Sequence, residues 1–281
     1  MPGAERGQAR DVAARTARGP NGATMSPVHI LGDRGEIADP LAPYAEVDRT
    51  RGPGPCWVMG HMVGGLDGSA AIAGRVGALS TAPDAELFRL MRALADVVLV
   101  GAQTVRQEGY GPVRLPADRA AAREAAGRPG TPPLAVVTRS LDLDWSARAF
   151  TGAPPRSRTL VITCAAADPG RLARAGQVAD VLIAGEKRVD PVLAMRELSA
   201  RGHRVVLCEG GPTWLGELVA AGCLDELCLT ISPLIGGDPL PVSLAPPGAP
   251  LVSFALRHVL RGGDTLFLRY ERDADDRDTD D

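Results

Sequence analysis

The sequence predicts an α/β protein built on one mixed, mainly parallel sheet flanked by helices. Two observations carry this reading. Short apolar runs alternate with helix-length segments between residues 56 and 232, and the chain closes on a hairpin signal over 254–271. Strands separated by helices pair in parallel through crossovers, and a terminal hairpin adds antiparallel strands at one side. With 281 residues, 45% of them hydrophobic and 23% charged, the chain has the core supply for one such domain.

The elements follow in order. Residues 1–27 mix Arg, Ala, Gly and Pro without an apolar period, which predicts a disordered leader ahead of a single domain over 28–272. CWVMGHMV (56–63) reads as an apolar strand. PDAELFRLMRAL (83–94) carries Leu87, Leu90, Met91 and Leu94 at the spacing of one helix face, with Thr81 as its N-cap and Asp84 three residues on. ADVVLVG (95–101), PLAVVT (133–138), RTLVIT (158–163) and VADVLIAG (178–185) are short, β-branched and apolar, as strands buried on both faces are. DPVLAMRELSARG (190–202) is a helix, with Asp190 as cap, Pro191 in its first turn and Gly202 past its end. VVLCE (205–209) is a strand that meets Gly210, Gly211 and Pro212 and emerges as a helix stopping at Gly222. DELCLTIS (225–232) is another strand, and FALRHVLRGGDTLFLRYE (254–271) turns at Gly262, Gly263 and Asp264. The polar, Gly/Pro-bounded segment 114–131 is helix-compatible and reads as a surface insertion, and 273–281 as an acidic, solvated tail.

Composition excludes several functions. A net charge of -3 gives no general attraction to nucleic acid or to an anionic membrane, so a small-molecule substrate is expected and any phosphate site must be built locally. Lys187, the only lysine, is followed by Arg188, which rules out a Walker-type loop. The five cysteines form no C-x-x-C pair and none adjoins a histidine; neither a metal site nor a disulfide framework is expected, and a cytoplasmic location fits. No apolar run reaches the roughly 18 residues of a membrane span. There is no G-x-S-x-G elbow or H-E-x-x-H, and His29, His61, His203 and His258 are scattered. His61, inside an apolar strand, reads as a satisfied core histidine.

In open α/β sheets, ligands bind at the carboxyl ends of strands, where the next helix presents unpaired N–H groups. Two junctions have the composition for this: VGAQTVRQEGYG (100–111), where Gly101 follows a strand, and CEGGPT (208–213), where Gly210 and Gly211 permit an unusual turn before Pro212. Strand, Gly-Gly, helix is also how a chain simply turns sharply. Asp67, in LDG at 66–68, is a turn residue or a carboxylate facing a ligand cleft, and Arg92, off the apolar face of its helix, is a solvent-exposed arginine or a phosphate clamp.

Taken in order, LDG, LMRALAD, VVLVGAQTVRQEGYGP and CEGGPTWLGELVAAGCLDELCLTISPLIGG resemble the pyrimidine reductase family of bacterial riboflavin biosynthesis, whose fold is related to dihydrofolate reductase. The resemblance covers roughly residues 55–272. It implies an NADPH-dependent oxidoreductase, homodimeric as relatives are, that transfers hydride to C1′ of 5-amino-6-(5-phosphoribosylamino)uracil. It also implies that Gly211, Pro212, Thr213, Trp214, Leu215, Gly216 and Glu217 lie along the cofactor phosphates with Gly101, Ala102 and Gly210 beside them. Thr104 and Glu108 become further cofactor contacts, Glu209 borders the substrate, and Arg92 and Arg114 meet its phosphate. Asp67 and Glu209 are the candidates for proton delivery or substrate orientation. Arg139, in a loop after a strand, suits a 2′-phosphate, with Arg106 as its rival. A hydride donor needs no protein nucleophile, and none is found.

The sequence also departs from the family. No zinc deaminase half is expected, because Pro55-Cys56 is followed by Trp57, Val58 and Met59 with no H-x-E upstream. Gly64 and Gly65 precede LDG where serine is usual, a usual Trp and Ser are missing from 74–83, and Glu108-Gly109-Tyr110 replaces an acidic-Pro loop. These changes fall on the substrate side. They leave two alternatives: an NADPH-dependent reductase of a pterin such as dihydrofolate or of a specialised-metabolite imine, and a nucleotide-binding protein without catalysis.

Overall fold

Apolar strands that show no polar face need cover on both sides, and the computed structural model, which describes residues 37–50, 52 and 54–273, supplies it. The expected leader, with His29, and residues 274–281 of the expected tail lie outside the described residues. After a one-turn helix α1 (Ala42–Ala45), β1 (Trp57–Gly64) is buried along its whole length. There follow α2 (Ala82–Met91), β2 (Val97–Gly101), α3 (Ala102–Glu108), α4 (Ala117–Ala125) and β3 (Leu134–Val137). Beyond α5 (Arg148–Thr151) and a 3₁₀ turn at Pro155–Ser157 come β4 (Leu160–Thr163), α6 (Pro169–Val178), β5 (Asp180–Ile183) and α7 (Pro191–Ala200). The chain continues with β6 (Val205–Cys208), α8 (Pro212–Ala220), β7 (Glu226–Ile231) and the hairpin β8 (Phe254–Gly262) and β9 (Thr265–Arg272).

The strands form one sheet in the order β5-β4-β3-β2-β6-β1-β7-β9-β8. All pairs among β1 to β7 are parallel, and β9 joins β7 antiparallel, so the mixed sheet and its one-sided hairpin agree with the sequence reading. Gly262 pairs with Thr265, leaving Gly263, at φ +62°, and Asp264 as a two-residue turn. Strand alternation divides the core. Val98, Val100 and Leu207 join the layer of Leu87, Leu90 and Met91 from α2, whereas Val97, Leu99 and Val206 join that of Met195 and Leu198 from α7 and Leu215 and Leu218 from α8.

Two expectations need adjustment. The helix expected over 83–94 ends at Met91, and Thr81, though it occupies the N-cap position, turns its hydroxyl to that of Thr265 (2.9 Å) rather than to a helix N–H. The segment 114–131 forms the surface helix α4, and its one buried side chain anchors it: Arg123 donates to the carbonyls of Ala93 (2.9 Å), Ala95 (2.6 Å) and Pro129 (2.9 Å). The sequence reading also missed α6, whose Asp168 caps the N–H of Arg171 at 2.8 Å. Beside the hairpin, the fully buried Glu226 accepts from Arg49 Nε and Nη2 (2.9 Å each), Trp57 Nε1 (2.8 Å) and Arg269 Nε (2.8 Å), tying the segment before β1 to β7 and β9.

Candidate active site

The central strands β2, β6 and β1 are neighbours, so the loops leaving their carboxyl ends converge. At β2 and β6 these loops are glycines because the backbones nearly touch. The Gly101 N–H donates to the Gly210 carbonyl at 2.8 Å, and a Cβ on Gly101 would sit 3.4 Å from Gly211 N. Gly210 adopts φ +90°, a region side chains disfavour, and a Cβ on Gly211 would lie 2.8 Å from Thr104 Oγ1. Immediately beyond this slot α8 begins, with Pro212 at its start and first-turn N–H groups that intrahelical bonding leaves unpaired. The slot is therefore narrow, walled by backbone with Thr104 Oγ1 and Met62 Sδ at its edge, and adjoins the α8 donors, which suits a phosphate.

A cavity of about 340 Å³ opens next to the slot. Its wall combines Met62 and Val63 from β1, Phe88 from α2, Thr104 and Glu108 from α3, and Tyr110. Glu209 also reaches it from the end of β6, with its side chain fully buried. The Glu209 carboxylate accepts from Arg92 Nε (2.6 Å), Arg92 Nη2 (2.8 Å) and Tyr110 Oη (2.9 Å), while the Arg92 guanidinium rests 4.3 Å from the centre of the Phe88 ring. Burial opposes charge on Arg92, but the Glu209 carboxylate outweighs it and holds the guanidinium protonated. Burial and the same carboxylate push the Tyr110 phenol well up, so Tyr110 remains a donor. Glu108 Oε1 accepts the Val76 N–H at 3.0 Å and so links α3 to the loop across the cavity.

Two polar atoms of this wall are unsatisfied. His61 Nε2 and Asp84 Oδ1 are buried without a hydrogen-bond partner among the described residues, although Asp84 Oδ2 accepts the Ser80 hydroxyl at 2.6 Å. Burial depresses the His61 pKa, against the pull of the Asp84 and Glu209 charges, and keeps the imidazole neutral.

A second cavity, of about 530 Å³, lies past the ends of β3, β4 and β5. Arg139, Arg171 and Lys187 line it with Ser140 and Asp168, and Arg171 Nη1 donates to the Ser140 carbonyl at 2.9 Å.

The residues singled out from sequence are thus partly gathered. Gly101, Gly210 and Gly211 form the slot with the buried Ala102 beside them; Arg92, Thr104, Glu108 and Glu209 line the first cavity, and Arg139 the second. Pro212, Thr213 and Glu217 lie on the accessible side of α8. Helical periodicity turns the side chains of Trp214 and Leu215 inward, and a Cβ on Gly216 would be 2.0 Å from the Leu244 carbonyl oxygen, so these positions can offer a ligand only backbone groups. Asp67 is also outside the cavity wall. Its exposed carboxylate accepts the N–H groups of Gly236 (2.7 Å), Gly237 (3.2 Å) and Ser69 (3.1 Å), which pins the 236–237 loop. Arg92 is neither exposed nor an unoccupied clamp, since Glu209 fills its fork. Arg114 is exposed beyond Pro112, which lines the mouth, and Arg106 donates to the Asp142 carbonyl at 2.8 Å, away from both cavities. His61 is buried as expected but is not satisfied. Asp84, Phe88, Tyr110, Arg171 and Lys187 were missed as lining residues; only Tyr110 lay inside a junction already marked by its glycines.

Comparison with known proteins bears on this arrangement. The RibD C-terminal domain profile matches residues 56–268. The chain is 29% identical over 179 residues to the 2,5-diamino-6-ribosylamino-4(3H)-pyrimidinone 5′-phosphate reductase of Methanothermobacter thermautotrophicus, covering 61% of this chain and 75% of that one. It is 27% identical over 164 residues to the enzyme of the same name from Archaeoglobus fulgidus, covering 58% and 74%. Among solved structures, a pyrimidine reductase-like protein from Corynebacterium diphtheriae superposes with a TM-score of 0.72 at 29% identity, over 84% of this chain and 96% of that one. RibD of Acinetobacter baumannii, at 19% identity and a TM-score of 0.62 over 78% of this chain and 58% of that one, shares the fold.

Proposed function

Because the chain belongs to the RibD C-terminal domain family, the pyrimidine reductases of riboflavin biosynthesis, we propose that it is an NADPH-dependent reductase of a phosphoribosylaminopyrimidine. The substrate is 5-amino-6-(5-phosphoribosylamino)uracil or its 2-amino counterpart, the compound in the name of the archaeal relatives. The observation that carries the proposal is the glycine slot set beside a cavity whose wall includes Thr104 and Glu209. At Gly101 and Gly211 a Cβ would press on Gly211 N or Thr104 Oγ1, so the two turns stay bare and close-packed and leave the first N–H groups of α8 uncovered for a dinucleotide's phosphates; the residues present fit the cofactor. Gly101, Gly210, Gly211 and the first turn of α8 would hold the pyrophosphate, Thr104 would sit at the entrance to the cavity, and Arg139 with Lys187 and Arg171 would take the 2′-phosphate.

The chemistry balances with one hydride and one proton. The C1′–O4′ bond breaks, O4′ takes up a proton, and the nitrogen lone pair forms a cationic C1′=N bond. Addition of hydride to C1′ returns that pair to nitrogen and leaves a ribityl chain. The bound nicotinamide supplies the hydride. The protein's part is alignment, exclusion of water and electrostatics. Glu209, fixed by Arg92 and Tyr110, provides negative potential beside the cationic carbon, while Met62, Val63 and Phe88 keep the cavity apolar elsewhere. Exposed Ile235, Leu251 and Leu256 support a second copy of the chain as partner, with sedimentation as the check.

The test is NADPH oxidation by purified protein with each of the two pyrimidines. Turnover of either establishes the activity; bound NADPH without turnover of either refutes it.

A further inference from the structure

The charged groups lining the first cavity do not match a phosphate. Three carboxylates, from Asp84, Glu108 and Glu209, face it against one guanidinium, and that guanidinium is already engaged by Glu209. On the reading proposed above, the substrate therefore enters heterocycle first and leaves its phosphate at the mouth.

The wall that meets the heterocycle holds two unsatisfied groups on side chains more than nine-tenths buried, His61 at 5% and Asp84 at 2% exposure. An ionised carboxylate only accepts hydrogen bonds. Asp84 keeps Oδ1 for a donor because Oδ2 already receives the Ser80 hydroxyl. The two candidate rings differ at this point. A 2-amino-4(3H)-pyrimidinone presents adjacent donors, the exocyclic 2-NH₂ and N3–H, whereas a 2,4-dioxo ring flanks N3–H with two carbonyl oxygens that repel a carboxylate.

We propose that Asp84 is a specificity-determining residue that selects a 2-amino-4-oxopyrimidine over the 2,4-dioxo ring, so that this chain reduces the sugar before the ring loses its amino group. The neutral His61 lies in the same wall and adds a second partner for the ring's polar edge. The reaction that consumes the product is then a hydrolytic deamination at C2, in which water supplies the oxygen and ammonia leaves. Only the 2-amino edge matters to Asp84, so a pterin that carries it is a further ligand of the same chemistry.

The experiment measures equilibrium binding of the 2-amino and 2-oxo ribosylaminopyrimidine phosphates, without reductant, to wild-type protein and to Asp84→Asn, with dihydrofolate as a third ligand. Turnover of the two pyrimidines with NADPH is measured separately. The wild type is expected to bind the 2-amino compound at least ~10-fold more tightly, as hydrogen bonds to a charged group allow. An amide carries a donor as well as an acceptor, so Asp84→Asn should bring the ratio to within about 3-fold. Equal or reversed wild-type affinities, no binding of either pyrimidine, or an unchanged ratio in Asp84→Asn overturns the inference. The wild-type ratio decides even if the variant fails to fold. Selective binding without turnover sinks the proposed activity and leaves the edge recognition standing; turnover without selectivity does the reverse. Tighter binding of dihydrofolate than of either pyrimidine assigns the site to pterins.

Discussion

Glu209→Ala is the most informative perturbation, because one carboxylate fixes both Arg92 and Tyr110. The substitution removes acceptors at 2.6, 2.8 and 2.9 Å and leaves a guanidinium whose side chain is only 15% exposed with no counter-charge. Breaking a buried pair from one side costs about 3–5 kcal/mol. The adjacent cavity lets water reach Arg92, so the lower end, ~3 kcal/mol, is the expectation. At roughly 2–4 °C per kcal/mol for a domain of this size, the midpoint of thermal unfolding should fall by about 6–12 °C. Urea unfolding followed by circular dichroism on Glu209→Ala, Arg92→Ala and the double variant closes the cycle. The double variant should cost well under the sum of the singles, with a coupling of about 2 kcal/mol. Additive losses, or a Glu209→Ala cost below ~1 kcal/mol, would refute the buried pair and the electrostatic role built on it.

Gly211→Ala pushes a Cβ to 2.8 Å from Thr104 Oγ1 and should weaken NADPH binding, measured by fluorescence titration, about 10-fold or more; Thr104→Ala in the same chain should recover part of it. Arg139→Ala with Lys187→Ala should weaken NADPH about 10- to 100-fold while leaving NADH nearly unchanged, and equal losses for both nucleotides would remove the 2′-phosphate from the second cavity. Burial lowers the pKa of His61, His203 and His258 below the ordinary 6.5. The unfolded chain then binds more protons below pH 6.5, so stability should fall with acid, by up to about 1.4 kcal/mol per pH unit for each histidine. Urea midpoints between pH 7.5 and 5.5 check this, and His203→Asn should flatten the slope.

The parts of the fold that show in the sequence are those where burial dictates residue type. Val97 to Val100 are apolar without a break because both faces of β2 are covered, and the Gly263–Asp264 turn needs the positive φ that glycine supplies. Helix α6 escaped because the face it packs on the core is thin, Leu172, Ala175 and Val178 alone. Helix α4 was legible as a polar surface segment, but its anchor was not, because an arginine reaching backbone carbonyls takes the place of an apolar face. The same division holds at the site. Backbone approach demands glycine at 101, 210 and 211 and so leaves a mark in the chain. The Arg92–Glu209 pair spans 117 residues, and no local pattern announces it. Asp84 read only as the first-turn residue three positions after the Thr81 N-cap, because local spacing says nothing of the cavity that α2 faces.

Charge gives the two cavities different tasks. The first sets Asp84, Glu108 and Glu209 against Arg92; the second sets Arg139, Arg171 and Lys187 against Asp168. Sheet order explains how one ligand can engage both. Strands β2, β3, β4 and β5 are successive neighbours and parallel, so the loops at their carboxyl ends line one edge, with the glycine slot at β2 and β6 and the cationic cavity past β3 to β5. This arrangement supports a dinucleotide running along that edge, its extra phosphate over the cationic residues, its pyrophosphate in the slot and its uncharged reduced ring towards the acidic cavity. The reverse orientation would press the phosphate against three carboxylates, where each close like-charge contact is unfavourable by about 1–4 kcal/mol at 4 Å for effective dielectrics between water and a protein surface. A substrate phosphate would face the same penalty against these carboxylates, so on the proposed function cofactor and substrate would both keep their anionic ends outside and bring uncharged rings together within.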